Sequence, residues 1–353
     1  MNHSADETRA SLANNLRYFI KWSLIALLIG GTGGLIGSLF SMGVSFATSF
    51  RMNHPNMLFF LPVSGILIVW LYHTFHEEGN RGTNMVIDAI SSTEKVTLAT
   101  GPLIFVSTVL THIAGGSSGR EGAALQLGGS LGNLFGNAIH LDEKDKKIAI
   151  MCGMSAVFSA LFGTPVAAAI FPLEVISIGV LYYAALVPCI FSSFIGVGIA
   201  RYLGIAGEHF TVLSIPAISV SSVGWIIFLS ALCAGVSIVF CLMLHGAEHT
   251  YRKIFPNPYV RILAASAIFI LLTLLIGTRD YCGSSMPLIE RSMEGEIGYE
   301  AFFLKMLFTA IALGAGFKGG EIVPTLCVGA AFGCAFGQIT GFAPSLCAAC
   351  SMA

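Results

Sequence analysis

The chain has 353 residues, 55% of them hydrophobic and only 10% charged, with a formal net charge of −1 and a mean hydropathy of +0.81. Ordinary globular domains carry roughly 25% charged residues, so this composition excludes a water-soluble fold, and with a net charge near zero no basic field points to nucleic acid as a partner. What remains is an all-α polytopic membrane protein. Apolar segments recur at about 23–50, 56–72, 97–114, 148–173, 176–200, 217–246, 258–277 and 301–316, then 322–353. Several reach the roughly 20 residues that cross a bilayer as helix, and others are too short or too long for one perpendicular crossing. Tilted, broken or re-entrant helices are therefore expected.

The chain opens on a polar stretch, MNHSADETRASLANNLR. The apolar run after it is longer than the ~7–15 residues of a signal-peptide core and lacks a small-residue cleavage site, so no cleaved targeting signal is expected. Arg9, Arg17 and Lys21 precede the first span. By the positive-inside rule they place residues 1–22 in the cytoplasm; the cell membrane is the expected location.

The first polar interruption is GNRGTNMVIDAI, residues 79–90. Thr83 and Asn84 there offer hydroxyl and amide donors at the start of a short helix, the alternative being an ordinary capped loop. The second, GGSSGREGAALQLGGSLG at 115–132, places an ionisable pair inside hydrocarbon. An ionisable residue at membrane depth is costly and points to function. Glu121 stands where a helix begins, flanked by Gly119 and Gly122, so free N–H groups and the positive helix end can surround an anion. Its own carboxylate is one such anion, and a halide would compete with it. Burial favours the neutral carboxyl and the helix end favours the carboxylate, so proton exchange is within reach, and a neutral Glu121 can swing away. The competing reading has Glu121 complementing the helix dipole and pairing with Arg120 in a solvated loop.

Further along, GFKGGEIVP at 316–324 repeats the pattern at a constant offset of 201 residues. The paired columns are Gly119/Gly320, Leu125/Leu326, Gly128/Gly329, Gly132/Gly333, Phe135/Phe336 and Gly136/Gly337. Each copy is a glycine-rich turn opening a helix with Gly at every fourth position, a face that lets helices approach closely in lipid. Pro324 fits a first helical turn, where its missing N–H costs nothing. Gly319 and Gly320 leave the adjacent backbone open to a ligand. Duplicated halves with interrupted segments at matching places point to a transporter site at the repeat interface. The repeats are expected at 23–203 and 217–353, joined by 204–216. After its glycine helix the first repeat runs on through CGMS (152–155) to Arg201, while the second stops at CSMA (350–353). About 45 residues then lack a counterpart, which at ~1.5 Å rise is about two membrane-length helices. A chain truncated within its second repeat is therefore expected.

Other patterns carry less. Gly116-Ser-Ser-Gly119 fits a serine-nucleophile turn, which would need His245 or His249 within reach; both lie in HGAEHTYRK, a polar membrane boundary. The nine cysteines sit mostly in apolar runs, as small hydrophobes. Cys347-Ala-Ala-Cys350 has metal or redox spacing without a second ligand pair. No cofactor, metal or enzymatic activity is expected.

Together, the segments at 79–90, 115–136 and 316–337 resemble the CLC family of chloride channels and anion/proton antiporters, from about residue 18 onward. The resemblance implies a homodimer with one pore per subunit, built from two inverted repeats whose helix N-termini converge on dehydrated anions. Residue by residue, Glu121 matches the family's external gating glutamate. Gly119, Arg120, Gly122 and Ala123 share that motif, with Ala123 where proline is common. Ile322 and Val323 match the second anion-coordinating turn, and Glu321 stands where Lys or another residue is frequent. Gly82-Thr83-Asn84 occupies the place of a Gly-Ser-Gly-Ile-Pro segment, which is similar to the bacterial branch that exports fluoride. The family's internal proton-relay glutamate aligns with Val175, next to Glu174. The activity that the resemblance implies is transport of chloride or fluoride, coupled to proton antiport through Glu121. The alternatives are a passive anion channel of the same family, an inert truncated fragment and, more remotely, the intramembrane serine protease.

Overall fold

The computed structural model describes residues 2–79, 82–91, 96–175 and 182–352. Asn80 and Arg81 of the 79–90 segment, residues 176–181 at the head of the fifth apolar segment, the side chain of Arg9, and Ala353 lie outside the described residues. The described chain is helical throughout: α1 (Asn2–Asn53), α2 (Leu61–Thr74), α3 (Thr83–Ser91), α4 (Thr100–Ile113), α5 (Glu121–Ala138), α6 (Glu143–Phe162), α7 (Pro165–Glu174), α8 (Leu186–Tyr202), α9 (Val220–Ile254), α10 (Pro258–Ile276), α11 (Met286–Glu294), α12 (Ala301–Ala315), α13 (Ile322–Thr340) and α14 (Pro344–Met352). Among the described residues six stretches are long and apolar enough to cross a membrane: 14–53, 55–74, 183–202, 220–254, 258–276 and 322–340.

Two apolar runs that read as continuous in the sequence are broken. The run at 148–173 splits at Gly163, which caps α6 in the left-handed region at φ 72°, before Thr164 and Pro165 start α7. The run at 322–353 splits in the same way at Gly341, φ 71°. A glycine free of the Cβ penalty ends each helix, and a proline that needs no donor opens the next. α11 belongs to none of the apolar runs; it is a short helix with Leu288, Ile289, Ser292 and Met293 buried.

Close packing divides the chain into two units, each assembled from three separate stretches. The first takes residues 1–42, 81–102 and 124–208. In it α1 turns a small-residue stripe to its neighbours: a β-carbon at Gly30 would lie 2.9 Å from Ser192 O, and one at Gly34 would lie 2.9 Å from Gly196 Cα. α5 presses equally closely on α6, where a β-carbon at Gly128 or Gly132 would overlap the carbonyl of Gly153 or Ala149. The buried Ser192 Oγ donates to Cys152 O at 2.9 Å, and Lys21 pairs with Asp145.

The second unit takes residues 43–80, 103–123 and 209–353. Here α13 meets α14 as α5 meets α6: β-carbons at Gly329 and Gly333 would overlap the carbonyls of Ser351 and Cys347. Phe269 and Phe308 pack edge to face, centroids 4.8 Å apart, between α10 and α12. α9 begins with a reciprocal Ser219–Ser222 cap, and only 11% of its most apolar stretch is buried. A helix apolar on nearly every side is at home in hydrocarbon.

Candidate functional site

Two turns of the second unit meet. α4 ends at Ile113, the chain loops through Gly115–Arg120, and α5 starts at Glu121; α12 ends at Gly316, φ 112°, the chain loops through Lys318–Glu321, and α13 starts at Ile322. Gly119 N–H donates to Gly320 O at 2.7 Å, and Gly320 N–H donates to Gly119 O at 2.8 Å. Their reciprocal pairing is the one isolated bridge among the described residues, and it joins the very column that the 201-residue repeat aligns.

Glu121 is fully buried at this junction. Its Oε2 accepts the Arg120 backbone N–H at 2.7 Å. The backbone amides of Glu121, Ile322 and Val323 also act on the carboxylate, while Oε1 itself lacks a hydrogen bond of good geometry. The first turns of two helices thus address one carboxylate, and the partial positive charge at each N-terminus favours an anion there. A β-carbon at Gly119 or Gly320 would overlap that carboxylate, and one at Gly319 would overlap the Ser118 hydroxyl. The missing side chains of Gly119 and Gly320 are what make room for it.

Of the residues singled out by sequence, Gly119, Arg120, Glu121, Gly122, Ala123, Ile322 and Val323 come together in this unit. Arg120 is half-buried, Ala123 and Val323 are buried, and Glu321 is exposed with its carbonyl accepting from Thr325 Oγ1 at 2.8 Å. Thr83 and Asn84 head α3 in the first unit, Thr83 half-buried and Asn84 exposed; the preceding Gly82 takes φ 68°. Val175 caps the end of α7 and Glu174 is exposed. Ser118 Oγ is buried and meets no hydrogen-bond partner among the described residues, and His245 turns its Nδ1 to Cys241 O within α9. Cys347 and Cys350 both lie on α14 as free thiols.

Two residues passed over in the sequence prove conspicuous. Lys305 is fully buried in α12, donating to Tyr281 O at 3.3 Å and Gly283 O at 3.2 Å. Its signal was available, a lone lysine inside AFFLKMLFTAIALG. Arg51, at the end of α1, has its Nε buried without a hydrogen bond.

Comparison with known proteins bears on this geometry. A family model described as voltage gated chloride channel matches residues 64–353. The chain is 30% identical over 325 residues to the chloride/fluoride channel protein of Pseudomonas syringae pv. tomato, covering 90% of this chain and 72% of that protein. It is 24% identical over 339 residues to the H(+)/Cl(-) exchange transporter ClcA of Vibrio cholerae, covering 89% and 72%. Among solved structures, a CLC-type fluoride/proton antiporter superposes with a TM-score of 0.89 at 30% identity, over 95% of this chain and 85% of that one. A slow cyanobacterial Cl-/H+ antiporter shares the fold, with a TM-score of 0.77 at 18% identity over 94% and 84%.

Proposed function

The chain belongs to the voltage gated chloride channel family, and from that premise we propose that it moves a small inorganic anion across the cell membrane in exchange for protons, with Glu121 as gate and proton carrier. The observation that carries this is the buried carboxylate addressed by the first turns of α5 and α13. An ionised Glu121 fills the place an anion would take. Protonation removes its charge and its claim on the amides, so the side chain can leave and a free anion can enter; reversal of the two steps exchanges one species for the other. Gly119, Arg120, Gly122 and Ala123 frame the carboxylate, Ile322 and Val323 supply backbone donors to the anion, and Thr83 and Asn84 offer further polar groups at the head of α3. The two repeats, 23–203 and 217–353, supply one such turn each.

Fluoride is the anion this reading favours. Its support is the 30% identity both to a chloride/fluoride channel protein and to a fluoride/proton antiporter, against 24% to the chloride exchanger. A homodimer with its N-termini in the cytoplasm completes the proposal.

Reconstituted vesicles test it. With the wild-type chain, an imposed pH gradient drives fluoride against its own gradient, and chloride more weakly. Glu121→Gln loses the uphill movement. Flux equal to that of empty vesicles overturns the transport reading, and purely downhill flux in the wild type makes the protein a passive channel.

A further inference from the structure

Exchange of an anion for protons needs a route by which protons reach Glu121 from the cytoplasmic side, and the position aligned with the family's relay glutamate holds Val175, which carries none. The second unit contains a group of polar side chains that the anion steps leave unused. α2 buries Leu61, Gly65, Ile68 and Tyr72, a stripe at helical spacing. Phe317, at the head of the second turn, packs on that stripe: a β-carbon at Gly65 would lie 3.1 Å from its Cζ. The next residue, Lys318, is half-buried and sends its side chain to the far end of the stripe, where Nζ stands over the Tyr72 ring, 4.2 Å from the centroid. The ring quadrupole attracts a cation placed there. Gly65 to Tyr72 is two helical turns, about 10 Å. Lys318 therefore connects the turn beside Glu121 with the end of α2.

That end is charged. Glu77 N–H donates to Tyr72 O at 2.8 Å, and the Glu77 side chain is buried. Its carboxylate acts electrostatically on both Tyr72 and Lys318. Glu248 and Arg252 of α9, which pair at 2.7 Å, also act on Lys318, as does Arg261 of α10, whose Nε donates to Ala315 O at 3.1 Å. Toward Glu121, the groups are hydroxyls. Those of Tyr72 and Ser107, on α2 and α4, approach each other, and that of Ser118 occupies the space a β-carbon on Gly319 would take. All three residues are buried, and none of the hydroxyls meets a hydrogen-bond partner of good geometry among the described residues. Buried hydroxyls of this kind are ordinarily met by ordered water. A hydroxyl both donates and accepts, so it can take one proton and give up another. Gly320, two residues after Lys318, borders the Glu121 carboxylate itself.

We propose that Glu77, Lys318 and Tyr72 form the cytoplasmic proton port of the Glu121 gate. It rests on the transport reading and adds to it the path by which protons arrive. With the N-terminus in the cytoplasm, as that reading has it, α1 leads out and α2 leads back, so Glu77 meets the cytoplasm. The Lys318 ammonium gives a proton, by way of the Ser118 hydroxyl and bound water, to the Glu121 carboxylate: an N–H bond breaks and an O–H bond forms. Two opposite charges become two neutral groups, the state that a low-dielectric setting favours. Glu77, protonated from cytoplasmic water, returns a proton to the Lys318 amine and is reloaded in turn. Tyr72 is a positioning residue, whose ring holds the ammonium in line.

Vesicles carrying the full chain, with anion and proton movement recorded together, test the port in Glu77→Gln, Lys318→Met, Lys318→Arg, Tyr72→Leu and Tyr72→Phe. The number of protons moved per anion falls about 10-fold or more in Glu77→Gln and Lys318→Met, the scale on which positioned acids and bases act, while the anion still runs down its own gradient. Lys318→Arg falls as far as Lys318→Met, because a guanidinium keeps the charge but does not release its proton. Tyr72→Leu lowers the ratio, and Tyr72→Phe, which keeps the ring face, restores most of it. A wild-type ratio in Glu77→Gln or in Lys318→Met overturns the port, and so does recovery of the ratio by arginine, which would make Lys318 a fixed charge. Should Lys318→Met not fold, Lys318→Arg and Glu77→Gln, both in loops, decide. Coupled variants beside a coupled wild type sink the port alone; a wild type that moves anions without protons, or moves none, sinks the transport reading and the port with it.

Discussion

Gly119 and Gly320 are defined by what they lack. Each has a position where a methyl group would occupy the space of the Glu121 carboxylate, so Gly119→Ala and Gly320→Ala are expected to expel that carboxylate or to strain the paired turns, at about 1–3 kcal/mol of stability. Proton-driven anion uptake is lost in both, and thermal unfolding in detergent reports the strain. Gly198 is the contrast: it lies exposed in α8 with nothing within 4 Å of its would-be β-carbon, so alanine there stabilises by about 0.5–1 kcal/mol. The carboxylate and its glycine frame were legible because an acid in an apolar run is rare and because the turn recurs. Arg51 was not. In sequence it is a charge closing an apolar segment, and only the close approach of Gly115 and Gly283, from distant stretches, shows that its Nε is enclosed.

Helix pairing rests on where each glycine points. On α5, Gly132 faces the carbonyl of Ala149, which is backbone and cannot yield, whereas Gly136 faces the Cγ of Lys146 at 3.0 Å, a flexible chain that can. Gly132→Ala should therefore cost about 1–3 kcal/mol and Gly136→Ala close to nothing. A shift in melting temperature separates them, and equal shifts would remove the distinction. Gly333 on α13 meets the Cys347 carbonyl and should behave like Gly132. The four-residue spacing announced these faces, but periodicity does not name the partner helix. Nor did it show the breaks at Gly163 and Gly341, because hydropathy counts apolar residues and is blind to a single left-handed glycine. α11 escaped because nine residues with both apolar and charged faces form no apolar run.

At the scale of the molecule, composition alone established a helical membrane protein, and membership of the family followed from the recurring turns. Stoichiometry belongs to the proposal: with a fluorophore at the N-terminus and sparse reconstitution, single-molecule bleaching in two steps is expected, and single steps throughout would exclude the dimer. The paired turns also set a clock on biosynthesis. Among the described residues the N–H and C=O of Gly119 pair with Gly320, 201 residues downstream. At about 5–20 residues per second, a ribosome takes roughly 10–40 s to cover that distance. During this interval the first turn holds polar backbone groups in a medium that offers them nothing, so the nascent chain must be sheltered by water, insertion machinery or a chaperone until its second half arrives.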